Sequence, residues 1–239
     1  MMAQSVLHKA NTRSIADHGW LKSFQTFSFA GNYNPERIQF GALRVLNDDY
    51  IDGGTGFGEH PHDNMEIISI VLEGALKHED SMHNVAVIEP GEIQVMSAGT
   101  GIYHQEYNKD EKHPAKFLQI WLFPNQRNVK PRYQQERYDS RLLPNQFTQI
   151  LSPDKEDEGV WIYQDAWFHL GKFDAGVHLE HPLKKEGNGL YIFVIKGTIQ
   201  VNGQDLAERD GFGIWEIESL QINTQTEAEV LLMEVPMNF

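Results

Sequence analysis

Short apolar runs, rich in β-branched residues and separated by glycine and proline, recur along the whole chain. Most of these segments alternate with a period of two, whereas long amphipathic helical patterns are scarce. The clearest runs are Ile67–Leu72, Ala86–Ile88, Ile93–Met96, Phe117–Leu122, Leu190–Ile195 and Val230–Val235. Regularly spaced runs of this kind predict an all-β sandwich or barrel. The best candidate for a short helix is the polar segment Arg132–Leu142.

The two halves of the chain share a weak internal repeat. Ile68–Leu76 (ISIVLEGAL) and Tyr191–Ile199 (YIFVIKGTI) both contain an apolar strand, a charged residue, a glycine and a second apolar position. We therefore expect two similar β-domains, an N-terminal one over residues 1–135 and a C-terminal one over residues 136–239. The boundary itself is expected within the segment Pro124–Pro153.

Composition narrows the possible functions. The chain has 239 residues, a formal net charge of −14 and no cysteine. The negative charge disfavours direct binding to nucleic acid. The lack of cysteine excludes disulfides, thiolate metal ligands and cysteine nucleophiles, and it fits a cytoplasmic protein. No apolar run approaches the roughly 18 residues of a membrane span, and the N-terminus lacks the pattern of a signal peptide.

Two pairs of possible metal ligands stand near predicted strands: His60 with His62, and His104 with Glu106. Residues i and i+2 of a strand point to the same face. Two such strands facing each other across a small barrel would bring three imidazoles and one carboxylate together. This donor set suits a first-row transition metal rather than calcium, and it leaves coordination positions open for water, dioxygen or substrate. Either pair alone would also fit a solvated strand.

The other histidines show weaker signs of metal binding. Three of them lie in polar surroundings and are expected to be solvated: His8, His18 and His113. His78 is a conceivable partner of the metal ligands. His178 and His181 are three residues apart and should point to opposite faces of a strand, so the C-terminal barrel is expected to lack a metal site.

The spacing of the ligand candidates resembles the two motifs of the cupin superfamily. The first motif is matched by Gly54, His60, His62, Glu66 and Gly74, although the last glycine normally falls one residue sooner. The second is matched by Gly91, His104 and Asn108, with Ser97 where proline is usual and a longer gap before the histidine.

This variation, with Glu106 following the last histidine, narrows the resemblance to the pirin family. Arg37–Asn84 and Pro90–Asn108 look like the pirin core, as does the lead-in His18–Phe29, and the resemblance is closest over residues 11–135. It implies two tandem cupin-type barrels, of the double-stranded β-helix or jelly-roll kind. It also implies a metal, typically iron, held by the residues that match pirin ligands: His60, His62, His104 and Glu106. Glu66 would then be a structural strand residue.

The resemblance further implies quercetin 2,3-dioxygenase activity, in which dioxygen opens a flavonol ring with loss of carbon monoxide. Glu106 would be the catalytic base that accepts the 3-hydroxyl proton. The expected cofactor is Fe(II), with nickel, copper, manganese, cobalt and zinc as alternatives. A monomer acting on a flavonol or another enolic aromatic compound is expected. The alternatives are a metal-responsive regulatory module that acts on a partner protein without turnover, and a zinc-dependent isomerase or hydrolase.

Overall fold

The computed structural model describes residues 3–239 and consists almost entirely of strands. The first half contains β1 (Gln4–His8), β2 (Ser14–Asp17), β3 (Leu21–Gln25), β4 (Leu43–Ile51), β5 (Gly56–His62), β6 (Glu66–Glu73), β7 (Leu76–Asp80), β8 (Val85–Ile88), β9 (Glu92–Ser97), β10 (Ile102–Asn108), β11 (Ala115–Leu122) and β12 (Arg132–Arg137). The second half contains β13 (Phe147–Ser152), β14 (Val160–Trp161), β15 (Trp167–Phe173), β16 (His178–Pro182), β17 (Asn188–Lys196), β18 (Ile199–Val201), β19 (Gln204–Leu206), β20 (Gly211–Trp215), β21 (Ser219–Thr224) and β22 (Ala228–Pro236). All six predicted apolar runs lie within strands.

Each half forms a barrel from a seven-stranded and a four-stranded sheet. In the first barrel the sheet orders are β12-β9-β6-β11-β4-β3-β2 and β5-β10-β7-β8. The second barrel repeats this arrangement as β1-β20-β17-β22-β15-β13-β14 and β16-β21-β18-β19. Leu76 and Ile88 of the small sheet pack with Val71 and Phe117 of the large one, so a core fills the space between them. The predicted all-β architecture of two tandem cupin-type barrels is confirmed.

The internal repeat corresponds to the same turn in both barrels. Gly74 joins β6 to β7 with a φ of 75°, and Gly197 joins β17 to β18 with a φ of 86°. A Cβ atom on Gly74 would come within 2.9 Å of the Pro114 carbonyl oxygen, and one on Gly197 within 2.1 Å of the Glu227 carbonyl oxygen. Only glycine combines positive φ with such a close backbone approach. Each turn carries the chain from the large sheet to the small one.

A single apolar cluster joins the two barrels through the outer faces of their large sheets. Ile68, Ile70 and Ile120 come from the first barrel, and Phe168 and Leu231 come from the second. Residues at alternating positions of the same strands face the barrel interiors, so these strands are covered on both faces. This explains why β6 and β17 are continuous apolar runs rather than alternating ones.

The first strand belongs to the second barrel. β1 pairs with β20, and His8 lies beside Gly211 at the end of that ladder. His8 is only 4% exposed, and its Nδ1 shares a 2.8 Å hydrogen bond with the hydroxyl of Tyr191. The expectation that His8 is solvated is therefore wrong. The residues around His8 do not reveal its burial, because its hydrogen-bond partner Tyr191 lies 183 residues away in the sequence. The domain bounds 1–135 and 136–239 remain a prediction.

Burial, with a smaller contribution from the positive charge of Arg37, lowers the pKa of His8 from 6.5 to about 4. Between these pH values the unfolded chain binds a proton that the folded protein does not, so the free energy of unfolding should fall as the pH drops from 6.5 to 4. The loss attributable to His8 should reach about 3 kcal/mol. Denaturant titrations of the parent and His8→Gln should therefore diverge over this range. If the free energy of unfolding had the same pH dependence in both proteins, His8 would not be the cause of the loss of stability at low pH.

The segment Arg132–Leu142 is not the helix that its polar character suggested. Arg132–Arg137 forms β12, which pairs with β9 at the edge of the large sheet, and a single 3₁₀ turn follows at Asp139–Arg141. An edge strand exposes part of its surface, so its polar side chains are compatible with strand structure. Among residues 3–239, no helix has the length and apolar character needed to cross a membrane.

Candidate metal centre

The two predicted ligand pairs lie on neighbouring strands of the small sheet of the first barrel. β5 and β10 are antiparallel, and His60 lies directly opposite His104. The expectation that the two strands face each other across the barrel is wrong, since they are hydrogen-bonded neighbours. A register shift between His104 and Glu106 interrupts the ladder. The i, i+2 spacing still directs both pairs to one face of this sheet.

Three imidazole rings meet at this face. The ring centroids lie 4.9 Å apart for His60 and His62, 4.4 Å for His60 and His104, and 4.9 Å for His62 and His104. One nitrogen of each ring lies within 4.8 Å of the other two. Side chains this close can share one metal ion after small rotations of the rings.

The protonation states of these histidines suit metal binding. Burial, followed by repulsion from neighbouring histidines, lowers the pKa of His62 to about 4 and that of His104 to about 3. Both rings are therefore neutral near pH 7 and carry a lone pair that can bind a cation.

The hydrogen bonds of the three rings leave nitrogens free to bind. His60 Nδ1 lies 2.8 Å from the Gly58 carbonyl oxygen, which can accept only from a protonated nitrogen, so the lone pair is on Nε2. The buried Nε2 of His62 and both ring nitrogens of His104 have no hydrogen-bond partner among residues 3–239. Buried polar atoms without partners are uncommon, and a metal ion would satisfy them. The donor set thus fits a first-row transition metal.

Glu106 lies beside this histidine cluster and is 1% exposed. One of its carboxylate oxygens, together with nitrogens of His104 and His78, forms a second group within 4.8 Å of one another. Its Oε2 accepts a 3.0 Å hydrogen bond from Gln119 Nε2, and its Oε1 accepts a 3.3 Å bond from Ser69 Oγ. Both donors belong to the large sheet, so the carboxylate bridges the interior of the barrel.

His78 is the neighbour of Glu106 on the other side, because β7 pairs with β10 at this position. The ring is fully buried, lies 3.1 Å from Asp80 Oδ2 through Nε2, and stacks on Tyr133 at 4.8 Å. Its Nδ1 has no hydrogen-bond partner in the part of the chain that the structure describes. This arrangement, in which a carboxylate holds one nitrogen of a histidine, is typical of residues at or around metal sites.

Glu66 does not join the cluster. It is buried on β6, where Ser97 Oγ donates a 2.7 Å hydrogen bond to Oε2. Burial raises the pKa of this carboxyl to about 7, against the opposing effect of the Ser97 hydrogen bond. Neither group of potential metal ligands found among residues 3–239 includes Glu66.

An apolar wall adjoins His62. The ring of Trp121 meets His62 edge to face at 4.9 Å and meets Phe29 at 5.2 Å. Met65 and Met82 pack on the same apolar cluster as Trp121. Flat aromatic and flexible thioether side chains of this kind suit contact with an aromatic ligand.

The second barrel places different residues at the positions equivalent to the ligands. His181 on β16 lies opposite Leu220, as His60 lies opposite His104. Leu183 follows two residues later, where the first barrel has His62. His181 is buried and His178 is exposed, as their spacing predicted. His181 packs against His169 at 4.7 Å, and no group of three potential ligands occurs there among the described residues.

Sequence reasoning missed Ser69 and Gln119. Each interrupts an apolar run, IISIVL or FLQIWL, at a position that faces the barrel interior. A polar residue inside a strand that is buried on both faces needs a partner, and that requirement is the signal that would have identified them.

Comparisons with known proteins agree with this architecture. The sequence model of the Pirin family matches residues 8–122, and that of the quercetinase C-terminal cupin domain matches residues 149–235. The chain is 42% identical to quercetin 2,3-dioxygenase of Escherichia coli strain K12 over 230 residues, which cover 96% of this chain and 98% of the relative. It is 38% identical to a pirin-like protein of Caulobacter vibrioides over 220 residues, covering 92% and 94% of the two chains.

Solved structures show the same similarity. The crystal structure of YhhW from Escherichia coli superposes with a TM-score of 0.93 at 40% identity, covering 99% of this chain and all of that one. The crystal structure of the bacterial pirin YhhW in complex with nickel(II) gives a TM-score of 0.92 at 39% identity, covering 98% and 99%.

Proposed function

Because the chain belongs to the pirin family, we propose that it is a metal-dependent dioxygenase that cleaves flavonols such as quercetin with O2. The observation that carries this proposal is the meeting of three imidazoles beside a buried carboxylate. The names of relatives at 42% and 41% identity support the reaction class.

We propose that four residues hold the metal: His60, His62, His104 and Glu106. The nickel(II) complex of the similar protein YhhW supports the binding of a transition metal, and we propose Fe(II) as the physiological ion. When bound, the metal would supply positive charge that lowers the pKa of a coordinating hydroxyl, and a redox-active centre for reaction with dioxygen.

The surrounding residues suit the remaining tasks. The Gly58 carbonyl fixes the ring of His60. Glu106, held by Gln119 and Ser69, would accept the proton of the flavonol 3-hydroxyl. The wall of Trp121, Phe29 and the neighbouring methionines would hold the aromatic rings and exclude water from them.

The proposal includes a cytoplasmic monomer that does not bind nucleic acid directly, in line with the net charge of −14. We also propose that the second barrel, which β1 forms together with strands of residues 136–239, binds no metal. Leucines at the positions equivalent to His62 and His104 support this part.

The test is the loss of flavonol absorbance in the presence of metal-loaded protein, under air and without oxygen. Quercetin should disappear only under air, and His62→Ala and Glu106→Gln should each lower the rate at least about 100-fold, because each removes a ligand or the base. His18→Ala, at an exposed histidine, is the matched control and should retain the parent rate.

Equal turnover by the parent and by Glu106→Gln would contradict the catalytic assignment. Metal-loaded parent protein that binds its metal but consumes no quercetin would instead favour the regulatory function, in which the metal alters a surface for a partner protein.

A further inference from the structure

A row of polar side chains crosses the large sheet of the first barrel directly behind Glu106. The strand register aligns six of them: Gln25, Asn47, Gln119, Ser69, Gln94 and Gln135. The first five are buried. The equivalent row of the second barrel is largely apolar, with Leu232, Ile192 and Phe212 at its centre. The polar row therefore distinguishes the barrel that contains the candidate metal centre.

Gln119 and Ser69, at the centre of this row, both form side-chain hydrogen bonds with Glu106. The Gln119 amide donates to one carboxylate oxygen at 3.0 Å, and the Ser69 hydroxyl lies 3.3 Å from the other. The Ser69 hydroxyl also lies 3.5 Å from Gln119 Oε1, and its single proton can be donated either to that oxygen or to Glu106. Rotation of the carboxylate would break at least one of these contacts.

These hydrogen bonds also offset the cost of removing the Glu106 carboxylate from water. A carboxylate that is 1% exposed loses its hydration, which is costly unless donors replace the water. Each oxygen of Glu106 accepts one hydrogen bond here, which leaves further lone pairs for a metal or a proton.

We propose that Gln119 is the positioning residue of the metal centre, which sets the orientation of the Glu106 carboxylate through its amide, with Ser69 in a supporting role. The inference rests on the proposed function, because it assumes that Glu106 is a ligand. Gln119 donates its hydrogen bond to Glu106, so its proposed effect on the metal passes through that carboxylate.

The first measurement is nickel(II) affinity, determined by competition with a chromophoric chelator in the absence of any flavonol. Gln119→Met preserves the length and unbranched shape of the side chain but removes the donor. We expect it to weaken nickel binding about 10- to 100-fold, as removal of a partner of a metal ligand typically does. Gln94→Met is the matched control in the same row, because Gln94 is fully buried and its side-chain amide has no hydrogen-bond partner in the described part of the chain. It should bind nickel like the parent.

The second measurement repeats the Gln119→Met change in a Glu106→Ala background. If Gln119 acts through Glu106, the substitution should change nickel affinity less than twofold there, whereas a general structural effect would persist. The visible spectrum of the cobalt(II) form should also change in Gln119→Met and not in Gln94→Met.

The positioning role of Gln119 would be overturned if the Gln119→Met protein bound nickel as tightly as the Gln94→Met protein. It would also be overturned if Gln119→Met weakened nickel binding equally in the parent and in the Glu106→Ala background. Glu106→Ala that binds nickel as tightly as the parent would overturn the ligand role of Glu106 itself. The two failures are therefore distinguishable.

Discussion

His104→Ala should abolish metal binding at nickel(II) concentrations that saturate the parent protein, with affinity lower by at least about 100-fold. His104 lies between His60 and His62 on one side and His78 and Glu106 on the other, and it belongs to both groups of potential ligands. His104 is 1% exposed, and neither of its ring nitrogens has a hydrogen-bond partner within the described residues. Elemental analysis after gel filtration, with protein purified without chelators or a histidine tag, measures the effect.

His181→Ala provides the matched control in the second barrel. His181 occupies the position equivalent to His60 and is also buried, but Leu220 replaces the histidine opposite it. The parent and His181→Ala should both contain one metal ion per chain. A loss of metal in His181→Ala as large as that in His104→Ala would contradict the assignment of the site to the first barrel.

Phe168→Ala should lower the free energy of unfolding by about 3–5 kcal/mol, the usual cost of removing a buried aromatic ring. Phe168 is fully buried in the cluster that joins the outer faces of the two large sheets. For a chain of this size, such a loss corresponds to a fall of about 10 °C in Tm. Because both barrels contribute to the cluster, we expect the protein to unfold in a single transition that shifts as a whole.

Circular dichroism during heating of metal-free protein measures this effect, and Leu143→Ala is the control. Leu143 is 56% exposed, so its truncation should change the free energy of unfolding by less than about 0.5 kcal/mol. Two separate transitions, of which Phe168→Ala moves only one, would contradict a shared core.

Local patterns in the sequence were sufficient to predict the strands and the ligand candidates. Apolar runs such as Leu190–Ile195 are short, rich in β-branched and aromatic residues and flanked by glycines, which favours a strand buried on both faces. The spacing of His60 and His62 was informative because a strand places both side chains on one face. The resemblance to pirins added the choice of Glu106 over Glu66.

Contacts between segments distant in sequence could not be predicted in the same way. The pairing of β5 with β10, the insertion of β1 into the second barrel and the burial of His8 all depend on long-range register. The polar edge strand β12 resembled a helical connector because its side chains carry no strong apolar pattern. Gln119 was overlooked because its role depends on Glu106 lying opposite it in the folded barrel.

We propose that one transition-metal ion lies among His60, His62, His104 and Glu106. Diffraction from crystals of the nickel(II)-loaded protein, collected at the nickel absorption edge, locates the ion directly. The proposed site requires one anomalous peak per chain, within about 2.3 Å of a nitrogen of each histidine and of a Glu106 oxygen. A peak elsewhere in the chain, or one that Glu106 does not approach, would contradict it.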